Sequence, residues 1–153
     1  MGWKILMTFL VSMVPVIELR GAIPIGVAAG VDLPVAILVS IIGNIIPIPF
    51  ILIFIKKIFA WMSGYNDTMK RFVEKMEARA ASKSDRVKKG EFIGLLLFVA
   101  IPLPGTGAWT GSLIAAMLDI EPKRAFVPLA LGVLGAAVII SFVTYGAWSL
   151  IVG

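Results

Sequence analysis

Pro15-Val-Ile-Glu-Leu-Arg-Gly-Ala-Ile-Pro24 interrupts one apolar segment, Trp3–Val31, and Pro102-Leu-Pro-Gly-Thr-Gly-Ala-Trp109 interrupts another, Phe92–Leu118. Proline removes a backbone donor and collides with the carbonyl four residues earlier, while glycine is a poor helix former. Each break leaves a piece of about 12 residues before it and one of about 7 to 10 after it. At about 1.5 Å per residue neither piece crosses a hydrocarbon core about 30 Å thick. The pieces either run on as a broken helix or fold back as a re-entrant hairpin. In both cases, non-helical backbone at membrane depth requires cover from protein or from a wet cavity.

Two further apolar segments, Leu33–Met62 and Phe126–Val152, follow the broken ones. Leu33 to Ile55 holds no charge, and about 20 apolar residues suffice to span. With 59% hydrophobic and 15% charged residues and a mean hydropathy of +1.01, the chain reads as an integral membrane protein. Cysteine and histidine are both absent. That excludes disulfides, thiol nucleophiles, most zinc sites and imidazole acid–base chemistry. The expectation is a protein that is not an enzyme, with no catalytic residue, cofactor or metal. Lys4 before an apolar run resembles a signal peptide, yet Glu18 and Arg20 stand where a small-residue cleavage site belongs, so no cleavage is expected.

Sliding the sequence by 87 residues places Pro15 on Pro102, Ala28 on Ala115, Ala29 on Ala116 and Asp32 on Asp119, and one insertion brings Pro34 onto Pro122. Each half then reads as broken segment, aspartate, proline and long helix. The expected fold is all-α: two inverted repeats, each a broken or re-entrant helical hairpin followed by a long transmembrane helix. The chain forms one membrane domain, 1–153, with repeat one over 3–62, a basic amphipathic helix or loop over 63–90, and repeat two over 91–152. Asp32 and Asp119 read as N-caps of the long helices, each just before a proline.

Charge sets the orientation. Ten of the fourteen Lys and Arg residues lie between Lys56 and Lys89, and Lys123 and Arg124 make two more. If the broken segments are re-entrant, these twelve share one face, and the positive-inside rule makes it cytoplasmic. The net charge of +5 is thus assigned to orientation and not to nucleic acid. The expected location is the plasma (inner) membrane of a prokaryote, multi-pass. Asn66 to Lys89 reads as a helix, capped by Asn66 or Asp67 and stopped by Gly90, with Met69, Phe72, Val73, Met76 and Ala80 on one face. Such a helix lies on an anionic leaflet, or else is a solvated stretch carrying orientation charges.

Glu18 and Arg20 are ionisable residues inside an apolar segment, which makes them the first functional candidates. Arg20 is able to hold an anion bidentately, and Glu18 to couple transport to protons or sodium; a mutual ion pair is the structural alternative. After each break a half-helix begins, near Pro24 and near Trp109, and its free amides and positive dipole end form an anion site. Pro104, Gly105, Thr106 and Gly107 add close backbone approach and a hydroxyl. Asn44 lies beside Gly43 and the kinking Pro47-Ile-Pro49, where it either bonds a neighbouring helix or faces a cavity. Trp3, Trp61 and Trp148 fit interfacial belts.

Through Glu18-Leu-Arg-Gly-Ala-Ile-Pro-Ile-Gly26, Asp32 and the Pro102–Trp109 turn, nearly the whole chain resembles the small multidrug export protein family. That family is similar in architecture to the DedA and VTT membrane proteins. The resemblance implies two inverted re-entrant hairpins and translocation of a polyprenyl-phosphate carrier lipid, or lipid scrambling. DedA-like hairpins divide acidic and arginine residues between repeats, whereas Glu18 and Arg20 share one turn here. The leading expectation is a translocase of an amphipathic anion, undecaprenyl phosphate or a phospholipid, coupled to protons or sodium. The alternative is a proton-coupled exporter of lipophilic cations, with Trp109 stacking on the cation. The expected partners are membrane lipid, a small amphipathic substrate, a coupling ion and further copies of the chain, because two uninterrupted spans are too few to surround a pathway.

Overall fold

The computed structural model describes residues 1–15, 17–83, 90–102 and 106–152. Among them it is helical, with no strand: α1 (Gly2–Met13), α2 (Glu18–Ala28), α3 (Leu33–Ile45), α4 (Pro47–Ser63), α5 (Asp67–Lys83), α6 (Glu91–Ala100), α7 (Ala108–Met117) and α8 (Pro122–Val152). Ile46 keeps helical angles between α3 and α4, so Leu33–Ser63 is one 31-residue run, equal in length to α8. Both are long and apolar enough to cross a membrane.

The two breaks share a cause. A residue before proline is pushed out of the helical region. Val14, before Pro15, has φ −72° and ψ 130°, and Ile101, before Pro102, has φ −77° and ψ 117°. Beyond Pro15 the chain reverses. A Cβ on Gly26 would stand 2.7 Å from the Thr8 hydroxyl, and one on Gly30 would stand 3.4 Å from Lys4 Nζ. Numbers rise along α1 as they fall along α2, so the first broken segment is an antiparallel helical hairpin and not one kinked helix.

The order short helix, short helix, long helix occurs twice, but the 87-residue shift holds only as far as the prolines. α3 begins at Leu33 and α8 at Pro122, a shift of 89. The helices before them close alike: Val31 N–H donates to the Gly26 carbonyl at 2.9 Å, and Ile120 N–H to the Ala115 carbonyl at 3.0 Å. The left-handed residue of each closure is Gly30 (φ 97°) and Asp119 (φ 57°). Structurally, then, Gly30 matches Asp119 and Asp32 matches Glu121, because the second link (101–107) is three residues longer than the first (14–17) while α7 is one residue shorter than α2. Asp119 is accordingly no N-cap. It ends α7, and its carboxylate pairs with Lys56. Asp32 does stand at the N-cap of α3, but its side chain makes no capping bond.

Close approach relies on glycine at matching places in the two long helices. A Cβ on Gly43 would meet the Phe9 carbonyl of α1 at 2.8 Å, and one on Gly132 would meet the Leu96 carbonyl of α6 at 2.8 Å. The ends of the molecule carry different charged groups. Lys56 with Asp119, and Arg124 with Glu91 at 3.5 Å, lie at one end with α5. Lys4, Gly30, Asp32 and Trp148 lie at the other.

Asn66 caps α5, its Oδ1 accepting from Met69 N–H at 2.8 Å. The apolar face of α5 packs on α4 and α7, burying Val73 to 1% exposure. That face covers protein at Val73, while Phe72 on it stays half exposed. The side chain of Ala80 and the stretch expected to carry the helix on to Lys89 fall outside the described residues. Gly90 is the N-cap of α6. Around the bundle Leu38, Phe50, Ile53, Val138 and Phe142 are all more than half exposed. An apolar surface of this extent is foreign to water and consistent with a membrane protein.

Candidate functional site

Four helix ends left open by the two breaks converge, and each is closed by a group from another element. A helix start leaves amides without partners and a helix end leaves carbonyls, which is costly where no water reaches. Ala108 and Trp109 are the first two residues of α7. Their N–H groups donate to Glu18 Oε2 at 3.1 Å and Oε1 at 3.0 Å. Glu18, 3% exposed, therefore caps a helix 90 residues away. In return, the Trp109 indole N–H donates to the Met13 carbonyl at 3.0 Å, closing the end of α1.

Arg20 serves the end of α6. Its Nη2 donates to the carbonyls of Val99 (3.3 Å) and Ile101 (3.4 Å) and to Thr106 Oγ1 (3.1 Å). The Thr106 hydroxyl donates to the Ile101 carbonyl at 2.9 Å. Asn44 Oδ1 accepts from Leu19 N–H at 3.3 Å, near the start of α2. The charges fit the helix dipoles: carboxylate at an amino end, guanidinium at a carboxyl end.

Local geometry allows these reaches. Glu18 has φ 50°, a conformation that costs a non-glycine residue about 1–3 kcal/mol. The turn there is set by Pro15 and by the bond from Glu18 N–H to the Val14 carbonyl at 3.0 Å. Gly107 has ordinary extended angles, φ −79° and ψ −177°. It is glycine for space: any Cβ there would overlap the Glu18 carboxylate.

A cavity of about 610 Å³ ends on this cluster. Glu18, Arg20, Gly107 and Trp109 form its polar end, and Ile55, Phe59 and Met62 of α4 with Phe72 and Met76 of α5 form its apolar walls. It is amphipathic and of a size that takes small organic ligands.

Of the residues read from sequence, Glu18, Arg20, Thr106, Gly107 and Trp109 come together here. Asn44 joins through a backbone cap and does not line the cavity. Pro24 does not open a half-helix: α2 begins at Glu18, and Pro24 lies within it. Pro104 and Gly105 lie outside the described residues. Asp32 and Asp119 are at the ends of the bundle. The sequence reading missed the carbonyls of Met13, Val99 and Ile101 as partners, and α5 as a cavity wall. A signal for the carbonyls was present, since a proline-terminated helix in a membrane strands its last carbonyls and few donors are at hand.

A family model described as Putative small multi-drug export protein matches residues 18–139, from the Glu18 turn through most of α8. Neither the curated proteins nor the solved structures contain a match to the chain.

Proposed function

The chain belongs to the Putative small multi-drug export protein family, and from that premise we propose that it is a membrane transporter of amphipathic anions driven by protons or sodium. The observation that carries this reading is the Glu18 carboxylate seated on the first two amides of α7, beside Arg20 and at the end of an apolar cavity. An internal anion already occupies the place a substrate anion would take. Neutralising Glu18 with a proton or sodium weakens its hold on those amides. A phosphate head group then replaces it, with Arg20 as the fixed positive charge and the apolar walls around the hydrocarbon.

The substrate class that suits this cavity is a polyprenyl phosphate such as undecaprenyl phosphate, or a phospholipid. In this reading the hairpins are re-entrant from opposite faces of a prokaryotic plasma membrane, as inverted repeats, with α5 on the cytoplasmic side and the chain working as a dimer or larger oligomer. In proteoliposomes, Arg20→Ala abolishes translocation of a polyprenyl phosphate while insertion stays normal. Unchanged translocation rejects the proposal.

A second reading, proton-coupled export of lipophilic cations, is favoured by the aromatic wall of Phe59, Phe72 and Trp109 facing an acid. It is opposed by Arg20 in the same cavity. Resistance to quaternary ammonium compounds that is lost in Glu18→Gln supports this second reading over the first.

A further inference from the structure

A second cleft, sharing no lining residue with the Glu18 cavity, lies between the two long helices. α3 and α8 run antiparallel and leave an apolar groove of about 450 Å³ walled by Leu33, Ile37, Ile41, Leu134, Val138 and Phe142. Leu33 to Ile41 is eight residue steps, about 12 Å at 1.5 Å each. The groove shares Leu33 and Tyr145 with a neighbouring cavity of about 360 Å³, whose other walls include Gly30, Asp32, Thr144 and Trp148. The two adjoin as a slot on the outer face of the bundle, apolar between α3 and α8, where Val138 and Phe142 are exposed, and polar at the end carrying Asp32.

The polar end carries both signs of charge. Asp32 makes no capping bond and no ion pair among the described residues. The Lys4 ammonium overhangs Gly30, which lines the same cavity. Tyr145 and Trp148 are amphipathic side chains of the kind that sit at head-group level.

We propose that this slot binds one phospholipid with an amine-bearing zwitterionic head group. Its acyl chain lies in the α3–α8 groove, its amine donates to the Asp32 carboxylate, and its phosphate accepts from Lys4. A wholly anionic lipid would meet Asp32 with like charge. A quaternary head group has no N–H to give Asp32. The slot thus discriminates by charge and by donor count. This proposal is independent of the transport reading, since the slot contains none of the residues around Glu18.

The test is native mass spectrometry of the protein released from bilayers of mixed phosphatidylethanolamine, phosphatidylcholine and phosphatidylglycerol. One phosphatidylethanolamine per chain is retained, with the other two held about tenfold less, the scale of one hydrogen bond to a charged group. Ser141→Trp, which fills the groove, removes it. Asp32→Asn, at an exposed position that leaves the fold intact, lowers retention to that of phosphatidylcholine. Glu18→Gln keeps it, so failure of the transport reading leaves this outcome untouched. Equal retention of all three lipids overturns the proposal, as does phosphatidylethanolamine held undiminished by Ser141→Trp or by Asp32→Asn. Disulfide formation between copies carrying Val138→Cys in native membranes also overturns it, by showing that a second chain covers the groove.

Discussion

The two broken segments share the order of their helices and have opposite roles. The first carries a carboxylate and a guanidinium in its turn, and both act away from home: Glu18 on the amides of α7 and Arg20 on the carbonyls of α6. The second supplies backbone ends, with Thr106 and Gly107 shaped to receive them. An ion pair confined to the first turn would hold only that turn. Charges spent on the opposite hairpin tie the halves together at the depth where each helix is incomplete, so a change of charge state at Glu18 is felt by both.

The largest disruption is expected from removing the carboxylate. Glu18→Ala strands two buried amides, each worth about 1–3 kcal/mol, and lowers the thermal midpoint in detergent while abolishing transport. Gly107→Ala is the sharper version. It leaves Glu18 in the sequence but evicts its carboxylate, so it should match Glu18→Ala in midpoint, and the double variant should cost no more than either. Additive losses would mean the two hairpins are not joined there.

Arg20→Lys comes next. A lysine ammonium carries the charge, but its stem ends one bond short of the Nη2 position that meets two carbonyls and a hydroxyl, so a loss of about 1–2 kcal/mol is expected by chemical denaturation, on the scale of a charge-assisted hydrogen bond. Trp109→Phe removes one indole N–H from the Met13 carbonyl. It should cost about 1 kcal/mol, one net hydrogen bond, with the aromatic wall preserved.

The smallest effects separate the two helix closures. Gly30→Ala forces a side chain into φ 97° and should destabilise by about 1 kcal/mol. Asp119→Gly relieves φ 57° and loses only an exposed ion pair, so a gain of up to about 1 kcal/mol is expected. Equal and opposite shifts would confirm that Gly30 and Asp119 are the matching positions, against the pairing of Asp32 with Asp119.

Much of this was legible from local chemistry. Pro15 and Pro102 end helices wherever they stand, through the restriction on the preceding residue. Leu33 to Ile55 is too apolar for water. Glu18 and Arg20 mark a site because charge in an apolar segment is costly. The register of the second half was not legible. The net offset of two residues betrays itself only through the backbone bonds that close α2 and α7, and a chance match of Asp32 with Asp119 masked it. The start of α2 was misread at Pro24 because the chain needs only one turn after Pro15 to resume a helix, and a proline within a membrane helix is tolerated when neighbours cover it.

The sequence by itself determined the solvent, the two breakpoints and the residues whose charge has to be satisfied at depth, because these follow from side-chain hydration and from proline sterics within a few residues. Only the tertiary structure decided which backbone groups satisfy them. Many amides and carbonyls are chemically equivalent acceptors of such help, and the choice falls to those that packing of α1, α2, α6 and α7 brings within 3 to 3.4 Å.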